Sequence, residues 1–166
     1  MGKIKIAIAG LGGITQIMHL PILSKHRDAE ITAICDTEYN KVKNLLRGKN
    51  FAKGYKDVDT MLAENADIDA VIIATRTDAH VETAVKCLEA GKHVLVEKPI
   101  ARNAAETKKI VAAADKSKKL LMVGMNNRFR TDSILQRNFV KGKELGEIFY
   151  VKTGWLKQQR DRKSVV

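Results

Sequence analysis

Three closely spaced glycines and an aspartate near the amino terminus have the types and spacing of a site for phosphate and ribose. The apolar run 3–9 leads directly into Gly10-Leu11-Gly12-Gly13, and Asp36 ends a second apolar run. Gly10 permits a tight turn, and Gly12 lets the backbone approach a pyrophosphate, which the N-terminus of the following helix would bind. Asp36 is placed to accept hydrogen bonds from an adenosine ribose. The pattern predicts a dinucleotide site, and the alternative is an ordinary glycine turn that binds no nucleotide.

The third position of this glycine pattern departs from the common one. Thr15 stands where Gly or Ala usually allows the helix and the sheet to pack closely. Because threonine is larger and β-branched, it weakens the match to the dinucleotide-binding pattern.

A lysine in the segment Glu97-Lys98-Pro99 is a candidate for proton transfer, because it directly follows an apolar run. An amine at a ligand-binding edge could hydrogen-bond a substrate hydroxyl or carbonyl and exchange a proton with it. The alternative is a solvated lysine at the end of a strand.

The elements that would position these residues alternate along the chain. Strands are predicted at 3–9, 30–35, 51–55, 69–74, 93–96 and 120–123. Helices are predicted at 13–25, 38–47, 57–64, 78–90 and 103–116, and Pro21 should kink or end the first of them near Leu20. The strand sequences are almost continuously apolar, which is typical of a parallel sheet covered by helices on both faces. The pattern predicts an α/β fold with a doubly wound parallel sheet.

Residues that could bind a ligand or take part in a reaction directly follow these strands. They are Gly10–Gly13, Asp36, Thr75, Glu97-Lys98 and the segment 124–127. Ligands bind at the carboxyl ends of the strands in such sheets, so we expect these residues to converge on one edge.

The sequence also predicts how two helices are capped and which elements follow residue 127. Asp78 is predicted to cap the fourth helix and Gly91 to follow its end, and Asn103 with Glu106 forms a capping-box pattern. Beyond Asn127, a helix at 132–140 and a strand at 148–155 are expected.

Charge and cysteine content narrow the class of protein. Residues 1–100 carry 14 Lys and Arg against 13 Asp and Glu, whereas residues 101–166 carry 16 against 6. A nucleic-acid surface is one interpretation, but no nucleic-acid motif accompanies the charge, so lysines on solvated helix faces are the favoured explanation and we expect no nucleic-acid partner. Cys35 and Cys87 indicate reduced thiols of a cytoplasmic protein. We expect no metal site and no membrane segment.

The sequence motifs, in their order along the chain, resemble the amino-terminal half of the Gfo/Idh/MocA (glucose–fructose oxidoreductase/inositol dehydrogenase) family. The resemblance is carried by the glycine loop, Asp36, Thr75 with His80, the block G-K-H-V-L-V-E-K-P at 91–99, Val123-Gly124 with Arg128-Phe129, and the segment 145–148. Arg76 departs from the family pattern, which usually has proline there.

The resemblance implies an NAD(P)-dependent oxidoreductase of sugars, polyols or related compounds. It implies that Lys98 is the catalytic lysine and that the Lys98–Pro99 bond is cis. The cofactor-binding residues it implies are Gly10, Gly12, Gly13, Ile14, Asp36, Thr75, His80, Glu97, Lys98 and Asn126. Asp36 favours NAD, and the nearby Lys41 and Lys43 leave NADP possible.

The resemblance also implies a domain division. Residues 1–125 would form the dinucleotide-binding Rossmann domain, and 126–166 the truncated start of a substrate and oligomerisation domain. Family members are about twice as long and carry a downstream D-x-x-x-H motif, which this sequence lacks. We therefore expect cofactor binding without turnover, with a homo-oligomer possible. A non-catalytic NAD(P)-binding sensor or docking module is the alternative. The substrate contacts of the family lie mainly outside this half, so the sequence does not name the substrate.

Overall fold

The computed structural model describes residues 2–47 and 52–154, which form two compact units that divide after Met125. The first unit is built on a six-stranded sheet in the order β3-β2-β1-β4-β5-β6, with every neighbouring pair parallel. The strands are β1 Ile4–Ala9, β2 Ala29–Cys35, β3 Lys53–Tyr55, β4 Ala70–Ile73, β5 His93–Val96 and β6 Leu121–Val123. This doubly wound sheet confirms the predicted fold class.

Helices cover both faces of the sheet. They are α1 Leu20–Leu23, preceded by a π-helical turn Thr15–His19, and then α2 Tyr39–Leu46, α3 Val58–Glu64, α4 Thr77–Glu89 and α5 Ala104–Ser117. One apolar cluster joins Ile8 and Ile34 of the sheet to α1 and α2. The other joins Val71 and Val96 to α3, α4 and α5. Both strand faces are therefore buried, which is why the strand sequences are apolar at almost every position.

The strand order places a switch point between β1 and β4. The chain proceeds from β1 towards β3 on one side and from β4 towards β6 on the other. A crevice opens at the carboxyl ends of two such neighbouring strands, because their following loops turn to opposite faces. The glycine loop after β1 and Thr75 after β4 both lie at this point.

Several predicted helix boundaries need correction. The first helix continues past Leu20 to Leu23, and a π-helical turn ends at His19, two residues before Pro21, so the usual helical ladder is already interrupted there. Asp78 does not cap α4, because the helix begins at Thr77 and Arg76 occupies the N-cap. Gly91 does follow the end of α4, with φ +75°.

The capping box of α5 forms only in part. Asn103 Oδ1 accepts a hydrogen bond from the Glu106 N–H at 2.9 Å, as predicted. Glu106 does not return to the Asn103 N–H. Its carboxylate instead accepts from the Arg102 N–H at 3.0 Å and from the Arg102 guanidinium.

The second unit begins with a 3-10 turn, Asn126–Phe129, followed by α6 Thr131–Lys141, and α6 confirms the predicted helix. The strand predicted at 148–155 is wrong for 148–154, which form no strand, and Trp155 lies outside the described residues. None of the helices formed by residues 2–47 and 52–154 has both the length and the apolar character that a membrane crossing requires.

Candidate functional site

The glycine loop packs against the end of β4. Gly10 has φ +94°, and a Cβ built on it would lie 2.5 Å from the carbonyl carbon and oxygen of Ala74. A side chain therefore cannot stand at this position without moving β4. Gly12 and Gly13 differ, because a Cβ on either would meet no atom within 4 Å. Their open side is the space into which a ligand can come close to the backbone.

Thr15 is accommodated by a hydrogen bond that its common counterparts cannot make. Its side chain is fully buried, and Oγ1 donates to the Gly10 carbonyl oxygen at 2.6 Å. The hydroxyl therefore closes the loop from within, and the π-helical turn begins at this residue.

Asp36 connects the glycine loop to the end of β2. Its Oδ2 accepts a hydrogen bond from the Leu11 N–H at 2.8 Å, and its Oδ1 accepts from the Glu38 N–H at 2.8 Å. The side chain is only 10% exposed. Each carboxylate oxygen has two acceptor positions, so one on each remains for a ribose hydroxyl.

Two lysines near Asp36 have different environments. The Lys41 Nζ lies 2.7 Å from Glu38 Oε1 and 3.9 Å from Asp36 Oδ1, and the hydrogen bond to Glu38 raises the pKa of Lys41. The Lys43 ammonium instead lies over the Tyr39 ring, 5.3 Å from its centroid. Lys41, and not Lys43, is therefore the lysine that lies beside the Asp36 carboxylate.

A cleft of about 600 Å³ opens at this edge of the sheet. It brings together four predicted residues, Gly10, Gly12, Asp36 and Thr75. Gly13, Ile14, His80, Glu97 and Lys98 do not line it. Residues that the sequence did not single out as contacts complete its walls, among them Lys56, Val58, Arg76 and Ala79. Lys56 follows β3, so the same rule that pointed to Asp36 could have found it.

His80 is buried between two loops. It is 1% exposed, with Nδ1 2.9 Å from the Pro99 carbonyl oxygen and Nε2 3.1 Å from the Thr75 carbonyl oxygen. The ring therefore joins the loop after β4 to the turn after β5. Its direct contact with a cofactor stays a prediction, and its observed contacts are those of a residue that positions the two loops.

The turn after β5 carries Lys98 to the surface. The Lys98–Pro99 peptide bond is cis, as the sequence resemblance implied, and Lys98 is exposed. Within the part of the chain that the structure describes, its ammonium makes no ion pair. Glu97 beside it is 16% exposed and contacts His19, which the sequence analysis did not identify. Nothing in the sequence pattern around His19 marks it as a partner of Glu97.

The remaining predicted site residues are peripheral or lie in the other unit. Ile14, at the start of the first helix, is 42% exposed. Asn126 begins the second unit, and its role stays a prediction.

Burial raises the pKa of both Cys35 and Cys87 to about 12, which keeps them as unreactive thiols. Among residues 2–47 and 52–154, no group of three His, Cys, Asp or Glu could hold a metal ion.

Comparisons with known proteins identify the family of this chain. Residues 4–125 match the model of the Gfo/Idh/MocA family, described as an oxidoreductase family with an NAD-binding Rossmann fold. Myo-inositol 2-dehydrogenase of Thermotoga maritima is 33% identical over 86% of this chain and 40% of its own length. A putative UDP-kanosamine synthase oxidoreductase subunit of Amycolatopsis mediterranei is 30% identical over 93% of this chain and 42% of its own length.

Solved structures of dehydrogenases also match this chain. The WlbA dehydrogenase from Chromobacterium violaceum, in complex with NADH and UDP-GlcNAcA, superposes with a TM-score of 0.83 and 34% identity. The match covers 88% of this chain and 42% of that one. The chain thus spans about two-fifths of the length of the relatives that it matches.

Proposed function

The chain belongs to the Gfo/Idh/MocA oxidoreductase family through its NAD-binding Rossmann domain, residues 4–125, and we propose that it is the cofactor-binding part of a sugar or polyol oxidoreductase. In the whole protein the reaction would be hydride transfer between the nicotinamide and a hydroxy compound. Residues 126–166 would be the start of the substrate and oligomerisation domain.

The observation that carries the proposal is the pairing of an open glycine with a fixed carboxylate. Gly12 has free space where a side chain would stand, and Asp36 is held beside it by the Leu11 N–H. A pyrophosphate needs the first and a ribose diol needs the second. An ordinary glycine turn needs neither, because an alanine at position 12 would fit that turn without a clash.

The residues present fit a nicotinamide dinucleotide. Gly12 and Gly13 would hold the pyrophosphate at the N-terminus of the first helix, and Asp36 would hold the adenosine ribose. When bound, the nicotinamide supplies the hydride acceptor or donor. Lys98, exposed in the turn after β5, would hydrogen-bond the reacting oxygen of the substrate and exchange a proton with it.

We propose a preference for NAD over NADP. The Asp36 carboxylate would repel a 2′-phosphate, and the cation beside it, Lys41, is already paired with Glu38. Calorimetric titration of the chain with NADH and NADPH tests this. Tighter binding of NADH is the expected result, and equal or tighter binding of NADPH would overturn the preference.

The substrate class follows from the relatives and remains a proposal. One relative is named as a dehydrogenase of myo-inositol, and another was crystallised with a nucleotide-linked sugar acid. Both names indicate oxidation of a hydroxyl on a sugar or polyol. We infer that residues 1–166 bind the cofactor without turnover, because no D-x-x-x-H motif occurs among them. NADH production from a panel of polyols and nucleotide sugars would contradict this inference.

A further inference from the structure

The Glu97 carboxylate lies where three parts of the first unit meet. Its Oε1 is 2.9 Å from His19 Nε2, at the end of the π-helical turn that follows the glycine loop. Its Oε2 accepts a hydrogen bond from the Lys98 N–H at 3.3 Å. A carboxylate only accepts, so the imidazole donates from Nε2. The contact therefore joins the helix of the glycine loop to the turn that carries Lys98.

The third contact of Glu97 is with the chain after β6. A Cβ built on Gly124 would lie 3.2 Å from Glu97 Cδ and 3.3 Å from each carboxylate oxygen. The absence of a side chain at Gly124 therefore gives the carboxylate the room that it occupies. The Gly124 N–H donates to the Val96 carbonyl oxygen at 2.8 Å, which fixes this approach.

The environment of this pair differs from that of the surface ion pairs. The His19 and Glu97 side chains are 18% and 16% exposed, whereas those of Lys5 and Asp67 are 39% and 60% exposed. Solvent screens an exposed pair and leaves it little energetic effect. A pair largely shielded from water holds its geometry more strongly.

We propose that His19 is a positioning residue, which acts through Glu97 to set the Lys98 turn relative to the glycine loop. The inference rests on the proposed function, since it concerns the same cofactor site. The helix of the glycine loop would bind the pyrophosphate at its N-terminus, and His19 near its other end holds the turn that faces the nicotinamide half. The two ends of the site are thereby coupled through one side-chain contact.

Lysine acylation with a reagent in limiting amount, read residue by residue by mass spectrometry with and without NADH, tests the proposal. In the unsubstituted chain NADH should protect both Lys98 and Lys41. In H19A and E97A the protection of Lys98 should fall about tenfold, because a charge-assisted hydrogen bond that fixes the turn is lost. Protection of Lys41 should stay unchanged, because Lys41 lies at the adenosine end of the site.

Two further variants separate positioning from a general loss of structure. H19Q keeps a side-chain N–H donor and should restore much of the Lys98 protection. G124A leaves every polar group in place and puts a methyl group 3.2 Å from Glu97 Cδ and 3.3 Å from its two oxygens, so that the carboxylate must shift slightly and the loss of protection should be intermediate. K5A, which removes an exposed ion pair at the opposite edge of the sheet, is the matched control and should behave like the unsubstituted chain.

The outcomes distinguish this inference from the proposed function. If NADH protects neither lysine of the unsubstituted chain, the proposed cofactor site is wrong. If NADH protects both lysines equally well in H19A, E97A and G124A, the cofactor site stands and the positioning role is wrong. Parallel titration with ADP-ribose should give the same affinity for all variants, and a parallel loss of ADP-ribose binding would overturn the local role of His19.

Discussion

The glycine loop offers a pair of substitutions with opposite expected effects. Gly10→Ala adds a methyl group against β4, whereas Gly12→Ala adds the same group into open space. If the loop serves both the fold and a pyrophosphate, the first substitution should reduce stability and the second should reduce cofactor binding. Gly2→Ala, whose Cβ would also meet no atom within 4 Å, is the matched control.

The expected cost at position 10 has two parts. The φ of +94° is unfavourable for alanine by about 1–2 kcal/mol. The Cβ would also lie 2.5–2.6 Å from Ala74 and Thr75 backbone atoms, where ordinary contacts begin near 3.4 Å. Relieving such an overlap costs about 1–3 kcal/mol. The free energy of unfolding should therefore fall by about 2–5 kcal/mol, and Tm by roughly 4–20 °C.

The expected result at position 12 is a folded chain that binds poorly. An alanine there reduces the freedom of the unfolded chain and should leave stability unchanged or raise it by about 0.4–1 kcal/mol. The methyl group would occupy the space proposed for the pyrophosphate, and NADH affinity should fall by at least about tenfold, ~1.4 kcal/mol.

Thermal unfolding followed by circular dichroism, together with calorimetric NADH titration, reads out both effects. A Gly12→Ala chain that binds NADH as tightly as the unsubstituted chain would refute the placement of the pyrophosphate. A Gly10→Ala chain with an unchanged Tm would refute the argument that the loop packs against β4. Gly2→Ala should change neither quantity.

Three further predictions concern Asp57, the two cysteines and Asp36. Asp57 is the N-cap of α3, and hydrogen bonds from Thr60 hold the pKa of the Asp57 carboxyl below its usual range. The ionised cap therefore stabilises the fold at neutral pH, and this contribution is lost as the pH falls through the lowered pKa. Asp57→Ala should therefore lower Tm at pH 7, with the difference from the unsubstituted chain shrinking in acid, and a gap that stays constant down to pH 2 would contradict this. Burial raises the pKa of Cys35 and Cys87 to about 12, so a disulfide reagent at pH 8 should label neither thiol in the folded chain and both after denaturation; rapid labelling of the folded chain would be the opposing result. Asp36→Ala should bring the NADPH and NADH affinities together, because it removes the repulsion of a 2′-phosphate, and an unchanged ratio of affinities would mean that Asp36 does not select the cofactor.

The sheet was predictable because its strands are buried on both faces. β4 and β5 are apolar runs with clear ends, and the glycine turn marks the end of β1. The order of these elements along the chain restricts the topology to a doubly wound sheet. The predicted helix boundaries were wrong where neighbouring residues favour different local structures. The first helix contains both a buried threonine and a proline, and a π-helical turn that begins at the threonine and ends before the proline permits a continuation that neither residue alone predicts.

The contacts between site residues were not predictable in the same way. The strand-end rule located Asp36, Thr75 and Lys98, because it depends only on the order of elements. The contact of His19 with Glu97 depends on the path of the first helix across the sheet, and no spacing in the sequence encodes that path. The same holds for His80, whose two carbonyl partners come from different loops.

The central claim is that one dinucleotide lies along the carboxyl edge of the sheet, from Asp36 past the glycine loop towards Lys98. Titration of the isotopically labelled chain with NADH, followed by amide NMR, tests it most directly. We expect saturable shifts of the amides of Leu11 to Gly13, Glu38, Thr75 and Lys98. Shifts confined to other parts of the chain, or no saturable shift at all, would contradict it.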